Sequence, residues 1–132
     1  MIPAMRETAM VPAMRNAHAT HVDFGFLRGI ISSNPNFMPS NIDMVLERKG
    51  KFLFGEWKRE DEEMKTGQKI LLKELAWNHT VLIITGYVDT EPHISLIQQV
   101  IPVNGNLKLV GKSSADLIKY IQDWYRDVEN DS

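Results

Sequence analysis

The sequence predicts an α/β domain, with a central mixed β-sheet of about five strands and helices on both faces. Three observations lead there. Two alternating stretches flank Lys49-Gly50 and read as the arms of a β-hairpin. The apolar, β-branched run Val81-Leu82-Ile83-Ile84 follows a stretch with helical spacing, so strand, helix and strand form a βαβ unit. Near the C-terminus, Ser113-Ser114 precedes apolar residues at helical intervals. A chain of 132 residues, 43% hydrophobic and 24% charged, has the size and composition of one globular domain.

Taken in order, residues 1–20 carry Pro3 and Pro12 among alanines and methionines and are expected to be weakly ordered. Residues 21–132 are expected to form a single domain. A short helix is expected over residues 24–31, with Phe24, Leu27, Ile30 and Ile31 on one side. Residues 32–40 have the turn chemistry of a loop. The hairpin arms are residues 41–48 and 51–58. The acidic run at residues 60–63 is a solvated connection into a helix over 67–77, with Thr66 as its N-cap. Ile70, Leu71, Leu75 and Ala76 supply the helical spacing there. The next strand should lie parallel to the second hairpin arm, joined by a right-handed crossover. Residues 94–103 and 106–110 flank Asn104-Gly105 as a second hairpin, and Pro102 favours an edge position. The last helix should be capped by Ser113 or Ser114 and bury Leu117, Ile118, Ile121, Trp124, Tyr125 and Val128.

Composition excludes several classes. Without cysteine there is neither a disulfide nor a thiolate zinc site, and a cytoplasmic setting fits, a host's cytoplasm if the source is viral. The longest wholly apolar run is residues 81–84, far short of a membrane span, and no signal-peptide core follows Met1. A net charge of −2 argues against coating nucleic acid by charge alone, yet allows an enzyme with a local basic groove. His18-x-x-His21 has chelating spacing but no third ligand nearby, and His79 and His93 flank strands as boundary residues.

The hairpin carries the chemistry. With a two-residue turn Arg48 faces Lys51, and counting outward sets Asp43 opposite Glu56. Opposed strand residues hold their Cβ atoms roughly 5 Å apart, so two carboxylates there repel unless a cation sits between them. Alternation puts Glu56 and Lys58 on one face and Trp57 on the other. Two acids and an ammonium group thus converge at the open end of the hairpin, a combination suited to metal-assisted phosphodiester cleavage. Glu-x-Lys alone is uninformative, since the chain holds three such triplets. Glu47-Arg48-Lys49 runs into the turn and Glu63-Met64-Lys65 lies in a charged loop. Only Glu56 and Lys58 continue an otherwise apolar strand with an acid facing them.

This arrangement resembles the core of the PD-(D/E)XK nuclease superfamily, in particular its VRR-type and junction-resolving members. The resemblance covers about residues 40–85 and includes Gly67-Gln68 in the following helix. It implies a restriction-endonuclease-like core and a metal-dependent DNA endonuclease. Asp43 and Glu56 would be metal ligands, helped by the Trp57 backbone carbonyl, for Mg²⁺ or Mn²⁺. Lys58 would orient the attacking water and stabilise charge on the scissile phosphate, and Gln68 would contact that water or the phosphate. The sequence departs from the family where Ile42 replaces the proline before the aspartate, although Pro39 lies upstream. An additional acid from the first helix would be Asp23, with Glu7 the weaker candidate.

So small a domain has little surface for reading sequence. Branched, flapped or nicked DNA, met by a homodimer, is therefore the expected substrate. Arg28, Arg48, Lys49, Arg59, Lys65 and Lys69 are the expected nucleic-acid contacts, with Arg6, Arg15 and the loop 32–40 adding backbone contacts. No membrane partner is expected. The alternative is a non-catalytic nucleic-acid-binding or assembly module of the same fold.

Overall fold

The computed structural model describes residues 23–131 and divides the chain into two units, Met1–Asn41 and Ile42–Ser132. The segment 1–20, with Glu7, Arg6, Arg15, His18 and the adjacent His21, lies outside the described residues.

In the first unit the helix expected over residues 24–31 contracts to one 3-10 turn, Phe24–Leu27. Glycines at positions 25 and 29 weaken any helix there, and Gly29 takes φ +84°, which ends it. The expected apolar side is not buried: Phe24, Ile30 and Ile31 are all exposed. Residues 32–40 are the loop their composition calls for. Its turns are closed by hydrogen bonds from Asn34 N to the Ile31 carbonyl and from Phe37 N to the Asn34 carbonyl.

In the second unit the strands are β1 (Met44–Arg48), β2 (Lys51–Arg59), β3 (Thr80–Val88), β4 (Pro92–Val100) and β5 (Leu107–Gly111). Helix α1 (Thr66–Leu75) links β2 to β3, and α2 (Ser114–Asn130) closes the chain. The five strands form one sheet in sequential order. β2 and β3 are parallel while the other neighbours are antiparallel, so the sheet is mixed as expected.

The β1–β2 turn explains its own register. Lys49 and Gly50 have φ of 53° and 79°, the two positive values that a two-residue turn needs to match strand twist. Arg48 pairs with Lys51, and the ladder runs outward to Met44 opposite Gly55.

β3 is buried on both faces, and its alternation divides the core. Val81 and Ile83 join Leu72 of α1 and Ala76, its C-cap, together with Val100. Leu82 and Ile84 join Leu53 and Ile97, against which Leu117, Tyr120, Ile121 and Trp124 of α2 pack. The helices therefore cover opposite faces.

Several helix details differ from expectation. Thr66 is the first helical residue of α1 and Lys65 is the N-cap, without a side-chain capping bond. The buried residue of α1 is Leu72, whereas Ile70, 200° away around the helix axis at 100° per residue, is 57% exposed. On α2, Ser113 is the cap and accepts a hydrogen bond from Asp116 N at 3.1 Å. Ile118 and Tyr125 are exposed, and Tyr120 takes the place expected of them in the packed face. Leu117, Tyr120, Ile121, Trp124 and Val128 share one stripe, and Ile118 and Tyr125 each sit one residue off it.

The second hairpin is shorter than expected. β4 ends at Val100, and Pro102 lies in the connection, where its missing N–H disturbs no ladder. The connection is closed by bonds from Gly105 N to the Ile101 carbonyl and from Ile101 N to the Asn106 carbonyl, both 2.8 Å. Between β3 and β4 the register shifts at Thr85/Gly86. A Cβ on Gly86 would stand 1.9 Å from the His93 carbonyl oxygen, so only glycine fits that irregularity.

Candidate active site

β2 builds the site by alternation. Phe54 packs in the cluster beneath α1, and Glu56 and Lys58 follow it on the same face, while Trp57 packs on the α2 side. Glu56 pairs with Ile83 of β3 in parallel register, deep enough that only 7% of it is exposed. Glu56 lies within the core: the central strands on one side and α1 above bury it.

Asp43 lies one step beyond the last β1–β2 pair, next along the register toward Glu56. It is exposed, and its Oδ2 accepts a hydrogen bond from Trp57 N at 2.8 Å. That bond extends the hairpin beyond the backbone ladder and fixes the carboxylate beside Glu56.

Gln68, on the first turn of α1, donates through Nε2 to Glu56 Oε2. One N–H of the amide is thus engaged by the acid, and its second N–H and its oxygen have no such bond among the described residues. Glu56 Oε1 is buried and has no hydrogen-bond partner. Burial first, and then the charge of Asp43, push the Glu56 carboxyl up to about 7.

Lys58 is half-buried, and its Nζ lies 3.3 Å from the Arg59 carbonyl. Among the described residues it forms no ion pair, so neither acid is neutralised by it. It opens instead onto a cleft of about 810 Å³, shared with Lys69 and Lys73 of α1.

The other expected contacts are scattered. Asp23 caps the 3-10 turn of the first unit by accepting from Gly25 N at 2.8 Å, and Arg28 belongs to the same unit. Arg48 and Lys49 sit at the turn end of the hairpin, away from Asp43, and both engage Glu129 of α2. The Arg48 guanidinium also lies 5.2 Å above the Tyr125 ring. Arg59 contacts Asp61 and Glu62 at 4.0 and 3.9 Å. Lys65 and Lys69 are exposed on α1 and unpaired among the described residues. Lys73 was not expected here, although its four-residue spacing from Lys69 was a readable signal.

No three His, Cys, Asp or Glu side chains converge among the described residues. Two carboxylates, one with an unsatisfied buried oxygen, nonetheless fit a hard cation such as Mg²⁺, which is commonly held by one or two carboxylates and retains several waters. No helix among the described residues is long and apolar enough to cross a membrane. No protein-family model, curated protein or solved structure matches this chain. The class established by the fold is therefore α/β with a five-stranded mixed open sheet, and the nuclease resemblance rests on the hairpin residues.

Proposed function

We propose that this chain is a divalent-metal-dependent endonuclease that hydrolyses phosphodiester bonds in DNA, selecting structure rather than sequence and acting in the cytoplasm as a homodimer. One observation carries the reading. Glu56 is a buried carboxyl with an unpartnered oxygen, set beside a second acid and held from behind by Gln68. Burying such a group without a partner is unfavourable, and a cation between the two acids removes the penalty.

A bound Mg²⁺ or Mn²⁺ supplies Lewis acidity and offsets negative charge on the phosphate. Asp43 and Glu56 would hold it, with the Trp57 carbonyl as the adjoining backbone donor. Gln68 bonds Glu56 Oε2 and would leave Oε1 as the oxygen available to a metal. Lys58, free of ion pairs among the described residues, would be available to the scissile phosphate. A second reading draws on the same Gln68–Glu56 hydrogen bond, which is equally suited to a neutral, purely structural acid in a non-catalytic module of this fold.

Labelled supercoiled plasmid, single strand, flap and four-way junction, each with Mg²⁺, Mn²⁺ or EDTA, separate the two. Metal-dependent cutting by the wild type and none by Glu56→Gln is the expected result. Binding without cutting of any substrate would favour the non-catalytic module.

A further inference from the structure

We infer that the cleft beside Lys58 receives an unpaired stretch of the substrate strand, so that the substrates are those with a single-stranded flank, such as flaps and overhangs. The inference rests on the nuclease reading and specifies its substrate.

The cleft, about 810 Å³, reaches from Lys58 past α1 to the Asn104-Gly105 turn. One wall carries Lys69 and Lys73, four residues apart on α1 and so separated by about 6 Å of helix rise. That step is of the same order as the distance between successive phosphates of a strand. Neither lysine pairs with an acid among the described residues.

Part of the lining is apolar. Met64, Leu72 and Ile83 line the cleft, while Ile70 and Leu107 are 57% and 45% exposed beside it. Exposed aliphatic side chains such as these can pack against sugars and base faces by apolar contact, which reads no sequence.

The acidic segment 60–63 also lines the cleft, and its Asp61 and Glu62 are drawn toward Arg59. Glu60 and Glu63 remain to repel phosphate. Phosphates are therefore favoured beside the α1 lysines and disfavoured beside Glu60 and Glu63, which sets the strand's backbone along α1. A cleft of small-molecule size admits a few nucleotides in file. A volume of about 810 Å³ is too small to enclose a length of duplex.

The test is fluorescence anisotropy on the full chain in EDTA, with labelled oligothymidylate and a duplex of equal length. Wild type should bind the single strand more tightly than the duplex. In Lys69→Gln/Lys73→Gln, the slope of log K against log salt for the single strand should weaken by about 1.4, at about 0.7 per lost contact. Glu60→Gln/Glu63→Gln should tighten single-strand binding, which keeps the test decisive should the lysine variant melt early. Unchanged single-strand binding in both variants, or equal losses on single strand and duplex, would overturn the inference. Because no metal is present, the result is independent of cutting. Expected binding without Glu56-dependent cleavage would remove the nuclease and leave the cleft. Cleavage of intact duplex without single-strand preference would do the reverse.

Discussion

Glu56 concentrates the consequences at the scale of single residues. Its carboxyl is pushed up to about 7 from an ordinary 4.5, by burial first and by Asp43 second. The folded protein therefore holds this proton more firmly than the unfolded chain does. The stability this contributes is complete below about pH 4.5 and is lost as pH rises through 7. In EDTA, the melting temperature of the wild type should fall between pH 5 and 8 through this group, and Glu56→Gln should lack that component. At pH 8 the variant should be more stable by on the order of 2 kcal/mol, as measured by denaturant titration. Gln68 acts on the same carboxylate from behind. Gln68→Ala should lower Mn²⁺ affinity by roughly tenfold, the usual scale for losing a group that orients a metal ligand. Unchanged affinity would reduce Gln68 to a structural role.

At the scale of elements, what was readable in the sequence follows from how local each signal is. The Lys49-Gly50 turn fixes β1 against β2 by itself, so counting from it gave the register from Arg48–Lys51 to Met44–Gly55. The capture of Trp57 N by Asp43 was not readable, because a side chain bonding to backbone leaves no periodic trace. Helix phase was harder to read. Ile70-Leu71-Leu72 is a continuous apolar triplet that fits several phases, and only packing against Val81 and Ile83 selects Leu72. Leu72→Ala should accordingly cost about 3 kcal/mol, against less than about 1 for Ile70→Ala, in equilibrium unfolding. Equal losses would mean that α1 is rotated from the face described. The β3–β4 irregularity was also hidden, since a glycine in a strand announces a bulge without saying what approaches it. Gly86→Ala must push back the His93 carbonyl and should lower stability by about 1–3 kcal/mol.

At the scale of the whole molecule, the five-stranded mixed sheet with a helix on each face was legible because its parts follow in chain order. The candidate site was legible to the same extent: Asp43, Glu56, Lys58 and Gln68 lie within 26 consecutive residues, counting both ends from 43 to 68. Relations between distant segments were not. Arg48 and Lys49 looked available for DNA until α2, 81 positions after Arg48, brought Glu129 against them. The lysine-lined cleft likewise needs the β4–β5 turn beside α1. Both core clusters lie within Ile42–Ser132, so a fragment of residues 42–132 should unfold in one cooperative transition by circular dichroism. A broad, non-cooperative melt would show that its core depends on the preceding residues.

The central claim is that Asp43 and Glu56 together hold a divalent cation for the chemistry at Lys58. Its most direct test is a Mn²⁺ titration, followed by electron paramagnetic resonance at pH 8, on the wild type, Asp43→Asn, Glu56→Gln and Lys58→Ala. A bound-metal signal is expected in the wild type and in Lys58→Ala, and its loss in both acid variants. Equal binding by all four proteins, or none by any, would contradict it.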